Sequence, residues 1–127
     1  MGIYMNGMIE GFEDYTAELN AEEQELLPII VNCLKAHDSK EKAITNAKMC
    51  EGIKRWRGKS FSGARMRKVI HYIQVKGLLK GLVSCGVAGY YVTQDISEVL
   101  RYIDSLKARS RSINEVARAV EQQFGLG

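Results

Sequence analysis

Nine lysines and arginines (Lys54, Arg55, Arg57, Lys59, Arg65, Arg67, Lys68, Lys76 and Lys80) fall between Gly52 and Gln94, with no aspartate or glutamate among them. Ammonium and guanidinium groups gathered in this way bind polyanions. An arginine fork matches guanine O6 and N7, and a lysine matches a phosphate or a guanine. The flanks differ in character. Residues 1–51 hold ten acids against four lysines, and residues 95–127 hold five charges of each sign. The net charge of +3 therefore hides a strongly polarised chain. The field of its basic segment attracts nucleic acid above all.

Other chemistries find little support. His37 and His71 are far apart, and no acid lies near His71. Cys33, Cys50 and Cys85 form no CxxC pair and sit among apolar neighbours, so they read as buried structural thiols rather than metal ligands. Gly58-Lys59-Ser60 looks like the end of a phosphate-binding loop, but Ile53 stands where such a loop needs its first glycine. Ser60 and Ser62 lack the flanks of a nucleophile elbow. The expectation is a protein without catalytic activity, cofactor or metal.

The elements that must position the basic segment are legible in pattern. An apolar fraction of 46% and a charged fraction of 26% fit one globular domain with an appendage. No apolar run approaches the ~20 residues that cross a bilayer, so the chain reads as cytoplasmic and independent of membranes. Residues 1–19, with Glu10, Glu13, Asp14 and Glu18 and no base, read as a flexible acidic arm that docks an aromatic or methionine side chain on the body. Asn20 with Glu23 predicts a capping box, opening a helix that presents Leu26, Leu27, Ile30, Val31 and Leu34 and is kinked or split at Pro28. Ala43-Ile44-Thr45 reads as a short strand. A second helix, capped by Thr45 or Asn46, carries Met49, Cys50, Ile53 and Trp56, with Trp56 expected at the core or its rim. Gly58 stops this helix.

Ser62 caps a third helix that ends at Gly77. Its Met66, Val69, Ile70 and Ile73 form one apolar stripe, expected to meet Leu34, Ile53 and Val83. Two β-rich runs around Gly86-Val87-Ala88-Gly89 predict a hairpin, in which Tyr90 and Tyr91 point to opposite faces. A capping box from Asp95 to Glu98 then opens a helix reaching Phe124.

The order helix, short strand, helix, turn, helix, hairpin over residues 20–94 resembles a winged-helix domain, a variant of the helix-turn-helix. The stretch SGARMRKVIHYIQVKG, followed by Gly89-Tyr90-Tyr91-Val92, also looks like a group of uncharacterised phage and prophage proteins. Those proteins join such a domain to a C-terminal helix that starts like EVLRYIDSLKAR. The resemblance implies an α+β, mainly helical fold: a winged helix-turn-helix domain with a small β-hairpin wing and a long C-terminal helix. It also implies a third helix that enters the major groove of double-stranded DNA.

On a helical wheel, Ala64, Arg67, Lys68 and His71 lie opposite the apolar stripe, with Arg65 on a flank. Arg67 and Lys68 suit guanine or phosphate, and Ala64 permits close approach. Ser60 and Ser62 suit a phosphate, and Arg57 and Lys59 suit the flanking backbone. This helix contains no acid for i,i+4 pairing, which points away from a merely solvated face. The hairpin tip carries no base, and Lys80 stands before it. In residues 95–127, Ile96, Ile103, Ser110, Ala117 and Phe124 alternate with Val99, Leu106, Ile113 and Val120 as a heptad a/d repeat. The expectation is a homodimer made by Ser110, Ile113, Ala117, Val120 and Phe124, with an intramolecular clasp as the other possibility. The competing functional class is a protein–protein adaptor in which the basic face is incidental.

Overall fold

The structure, a computed structural model, describes residues 18–126. The acidic arm expected at residues 1–19 lies outside them except for Glu18 and Leu19. The described residues are mainly helical, with one two-stranded antiparallel sheet among them and a long C-terminal helix. Its contacts divide it into two units, one ending at Val92 and one beginning at Thr93.

Helix α1 (Ala21–Lys35) opens on the expected box. Asn20 Oδ1 accepts the Glu23 N–H at 2.8 Å, and Glu23 Oε1 accepts the Asn20 N–H at 2.9 Å. The helix is not split at Pro28 but runs through it. Pro28 is exposed, so the carbonyl its ring leaves without a donor lies on the solvent side. After α1, His37 Nδ1 meets the Lys42 carbonyl at 2.5 Å, and the His37 carbonyl accepts the Val92 N–H at 2.8 Å. His37 thus ties a loop and a strand to the end of α1.

Helix α2 (Asn46–Arg57) is capped by Thr45, whose hydroxyl oxygen accepts the Lys48 N–H, and it ends at Gly58 in the left-handed conformation. Helix α3 (Gly63–Lys76) is capped by Ser62 and ends at Gly77. The hairpin pairs β1 (Leu82–Ser84) with β2 (Tyr90–Val92). The short strand expected at residues 43–45 is reduced to one bridging residue. Ile44 exchanges two backbone hydrogen bonds with Tyr90, at 2.8 and 2.9 Å. Gly89 makes this possible. Its φ of 101° and its closeness to the Ile44 carbonyl leave no room for a Cβ.

Among the described residues the core is one cluster of Leu26, Ile30 and Leu34 from α1, Met49 and Ile53 from α2, Met66, Val69, Ile70 and Ile73 from α3, with Leu19, Phe61 and Leu82. The α3 stripe is as expected. The hairpin contributes Leu82 to this cluster, while Val83 is buried outside it. Tyr90 is half-buried and packs against this cluster, whereas Tyr91, opposite Val83 in the hairpin, is buried outside it. The three cysteines are free and half-buried rather than fully buried, and burial pushes the Cys33 and Cys50 thiols up.

The second unit is helix α4 (Ile96–Gln123) with its cap. The expected box takes another form here. Asp95 Oδ1 accepts the Ser97 N–H, but Glu98 receives the Thr93 hydroxyl at 2.6 Å instead of reaching back to Asp95. Glu98, Val99 and Tyr102 are half-buried, and every residue from Ile103 to Leu126 is exposed.

Candidate nucleic-acid interface

The basic segment folds into the end of α2, the turn at residues 58–62, α3 and the loop before β1. The structure divides its cations into two groups. Arg57, Arg65 and Lys68 turn toward the first turn of α1. Lys68 Nζ donates to Glu23 Oε1 at 2.8 Å, and Arg65 Nε donates to Glu23 Oε2 at 3.2 Å. Arg65 Nη2 and Arg57 Nη2 each lie 2.6 Å from a Glu22 carboxylate oxygen, Arg57 as an ion pair without hydrogen-bond alignment. Phe61 sits beneath both guanidinium groups, its ring centroid 4.8 Å from Arg65 Cζ and 5.9 Å from Arg57 Cζ.

The expectation that α3 lacks counter-charge is therefore corrected. The helix has none of its own, but α1 supplies two carboxylates across the fold. Glu23 is 2% exposed, and its two oxygens accept three hydrogen bonds. Burial pushes its carboxyl up. Hydrogen bonds from Lys68, the Asn20 backbone and Arg65 outweigh that effect and hold it below the ordinary 4.5. Arg65 and then Arg57 likewise hold Glu22 below 4.5.

The second group faces solvent. Lys54, Arg55, Lys59, Arg67, Lys76 and Lys80 are all exposed. Arg67 lies on the α2 side of α3, close enough to Cys50 to act on its thiol, with Nη1 near Gly63. Lys76 Nζ stands 5.7 Å from the Tyr72 ring centroid. The outward face of α3 between the two groups carries exposed Ala64 and Val75 and half-buried His71. Ala64 also lines a recess of about 260 Å³ with Asn20, Glu23, Arg65 and Lys68.

Ser60 is exposed. Ser62 Oγ accepts the Arg65 N–H at 3.2 Å, so its oxygen already serves the helix. Asn46 Nδ2 donates to the Gly63 carbonyl at 3.1 Å, fixing the start of α3 against α2. Val87, at the hairpin tip, is 98% exposed.

Two features escaped the sequence reading. The partnership of Glu22 and Glu23 with the basic segment was hinted at only by acids crowding the α1 cap. Trp56, expected at the core or its rim, is 66% exposed. It borders an apolar groove of about 500 Å³ formed by Ile29, Ile30, Cys33, Ile44, Ile53 and Met66 among others, with Lys48, Glu51 and Arg55 at its edge. Among the described residues no group of His, Cys, Asp and Glu could hold a metal ion, and no helix is long and apolar enough to cross a membrane. No family model, no curated protein and no solved structure matches the chain.

Proposed function

We propose that the first unit is a winged-helix domain that binds double-stranded DNA, with α3 in the major groove, and that α4 brings two copies together. The observation that carries this reading is the set of six exposed cations on consecutive elements, Lys54, Arg55, Lys59, Arg67, Lys76 and Lys80, in a segment whose other three cations, Arg57, Arg65 and Lys68, pair with Glu22 and Glu23. A segment so arranged presents positive charge and no carboxylate of its own.

In this reading Lys59 and Lys80 hold phosphates and Arg67 reads a base edge, with His71 beside it. The exposed small side chain of Ala64 lets α3 approach the groove floor. Arg65 and Lys68 brace α3 against α1 and set its angle. Regulation of phage or prophage genes and a role in replication both suit such a surface. Two protomers joined through Ser110, Ile113, Ala117, Val120 and Phe124 would read two half-sites and multiply a modest single-site affinity.

Fluorescence anisotropy on random duplex at several salt concentrations tests the binding. With three to five phosphates neutralised per protomer, log K should fall against log salt with a slope of roughly −3 to −5. Absence of binding at low salt removes the reading.

The groove beside Trp56 favours a second reading, in which this unit is an adaptor for a protein partner. An exposed tryptophan beside apolar space is what a helical or aromatic anchor recognises. Trp56 is the only tryptophan of the chain, so its emission reports occupancy of the groove directly. A blue shift on adding a candidate partner, with no shift on adding duplex DNA, supports the adaptor.

A further inference from the structure

The apolar face of α4 is uncovered from Ile103 onward. Ile103, Leu106, Ile113, Val116, Val120 and Phe124 are all exposed there. A helix of this kind needs a partner, and its charges specify which one. In the heptad with Ser110 at an a position, Lys107, Asn114 and Glu121 occupy e, and Arg109, Val116 and Gln123 occupy g.

Four pairings with a second α4 can be compared. A parallel pair stacks Ser110 on Ser110 and Ala117 on Ala117, leaves Lys107 without an acid, and sets Val116 beside Glu121. An antiparallel pair centred near residue 108 sets Lys107 against Lys107 and Arg109 against Arg109. One centred near residue 111 has no ion pair, sets Arg109 beside Val116, and draws on Val99, which is already half-buried.

An antiparallel pair centred at Glu115 differs from all three. It places Leu106 opposite Phe124, Ile113 opposite the small Ala117, and Val120 opposite the small Ser110. Val116 meets its own copy near the two-fold axis, which accounts for an apolar residue at an otherwise polar g position. Lys107 of each chain faces Glu121 of the other, forming two symmetric ion pairs. The overlap from Leu106 to Phe124 spans roughly 27 Å at 1.5 Å per residue and uses only exposed residues.

We propose that the C-terminal half of α4 pairs antiparallel with α4 of a second copy of this chain, centred at Glu115, with Lys107 of each protomer paired to Glu121 of the other. This rests on the dimer in the proposed function and adds its direction and register. Opposite charges at these flanking positions select orientation, like charges reject the register near residue 108, and the other two pairings form no ion pair and set Val116 beside a charged side chain. Such a two-fold contact is isologous and closes at two copies.

Sedimentation equilibrium of the full chain tests it with Lys107→Glu, Glu121→Lys and the double swap, helicity being checked by circular dichroism. Each single swap sets two like-charged contacts in the dimer and should weaken it about tenfold. The double swap restores the pairing and should return the dimer constant to within about twofold of the original. Dimers indifferent to the single swaps overturn the register while leaving a dimer. Single swaps that weaken and a double swap that fails to rescue also overturn it. An original chain that stays monomeric at tens of micromolar removes the dimer itself, and the register with it. None of these outcomes depends on DNA.

Discussion

Glu23 and Lys68, 45 residues apart in the chain, are joined by a 2.8 Å hydrogen bond whose acceptor side chain is 2% exposed and whose donor side chain is 12% exposed. The carboxylate that receives it also closes the cap of α1 through the Asn20 N–H. One buried group therefore fixes the start of the first helix and the outward flank of the third. The contact tells against Lys68 as a free DNA ligand and for it as a brace.

Glu23→Gln should lower stability by about 3 kcal/mol at neutral pH, because it leaves Lys68 and Arg65 facing a neutral group in a poorly hydrated site. The pH dependence follows from the sign of the shift. Glu23 titrates lower in the folded chain than its ordinary 4.5, so its stabilisation is present above that value. It is lost as pH falls through the folded value. Urea unfolding at pH 7 and near pH 3 should show a gap between the two proteins that narrows in acid. A gap that is constant with pH would contradict the role given to this carboxylate.

Glu22→Gln should strengthen binding to random duplex. Glu22 holds Arg57 and Arg65 at 2.6 Å, and removing its charge leaves Arg57 without this acid and Arg65 with Glu23 alone, which raises the positive field seen by DNA. A gain of about threefold or more at low salt, with a steeper salt slope, is expected. An unchanged or weaker affinity in anisotropy would place those arginines away from the DNA.

Arg67→Ala and Lys59→Ala should separate base reading from backbone contact. Arg67 is exposed on α3, and Lys59 is exposed in the turn before it. On a selected site Arg67→Ala should cost about 1–3 kcal/mol and relax preference at one position, whereas Lys59→Ala should weaken all sequences alike. Equal losses from both variants on selected and random duplexes would argue against base reading.

Ile70→Ala should lower stability by about 2–5 kcal/mol in a thermal or urea melt, since Ile70 is buried in the core cluster with Leu34 and Ile53. A melt that does not change would place the stripe outside the core and turn α3 around.

Gly89→Ala should disrupt the bridge between Ile44 and Tyr90. A Cβ at Gly89 would collide with the Ile44 carbonyl and the Thr45 backbone, and φ there is 101°. Loss of about 2–4 kcal/mol is expected from the strained backbone together with the displaced hydrogen bonds. Hydrogen exchange at the Ile44 and Tyr90 amides would show it. Gly86→Ala serves as the control for a left-handed glycine with open space around it.

The sequence by itself determined the features whose causes are local. The Asn20–Glu23 box, the Thr45 and Ser62 caps and the Gly58 and Gly77 stops depend on residues within one turn of each other. The apolar stripe of α3 follows from helical periodicity alone. The heptads of α4 are legible for the same reason. The tertiary structure alone decided which cations face solvent. Arg65 and Lys68 lie on a helix without acids, and their charge is answered by Glu22 and Glu23 from a helix more than 40 residues earlier. A wheel drawn for one helix contains no information about what stands beside it. The exposure of Trp56 and the reduction of a strand to the single Ile44 bridge were likewise decided by neighbours. Packing between elements acts through space, and sequence patterns record only what repeats along the chain.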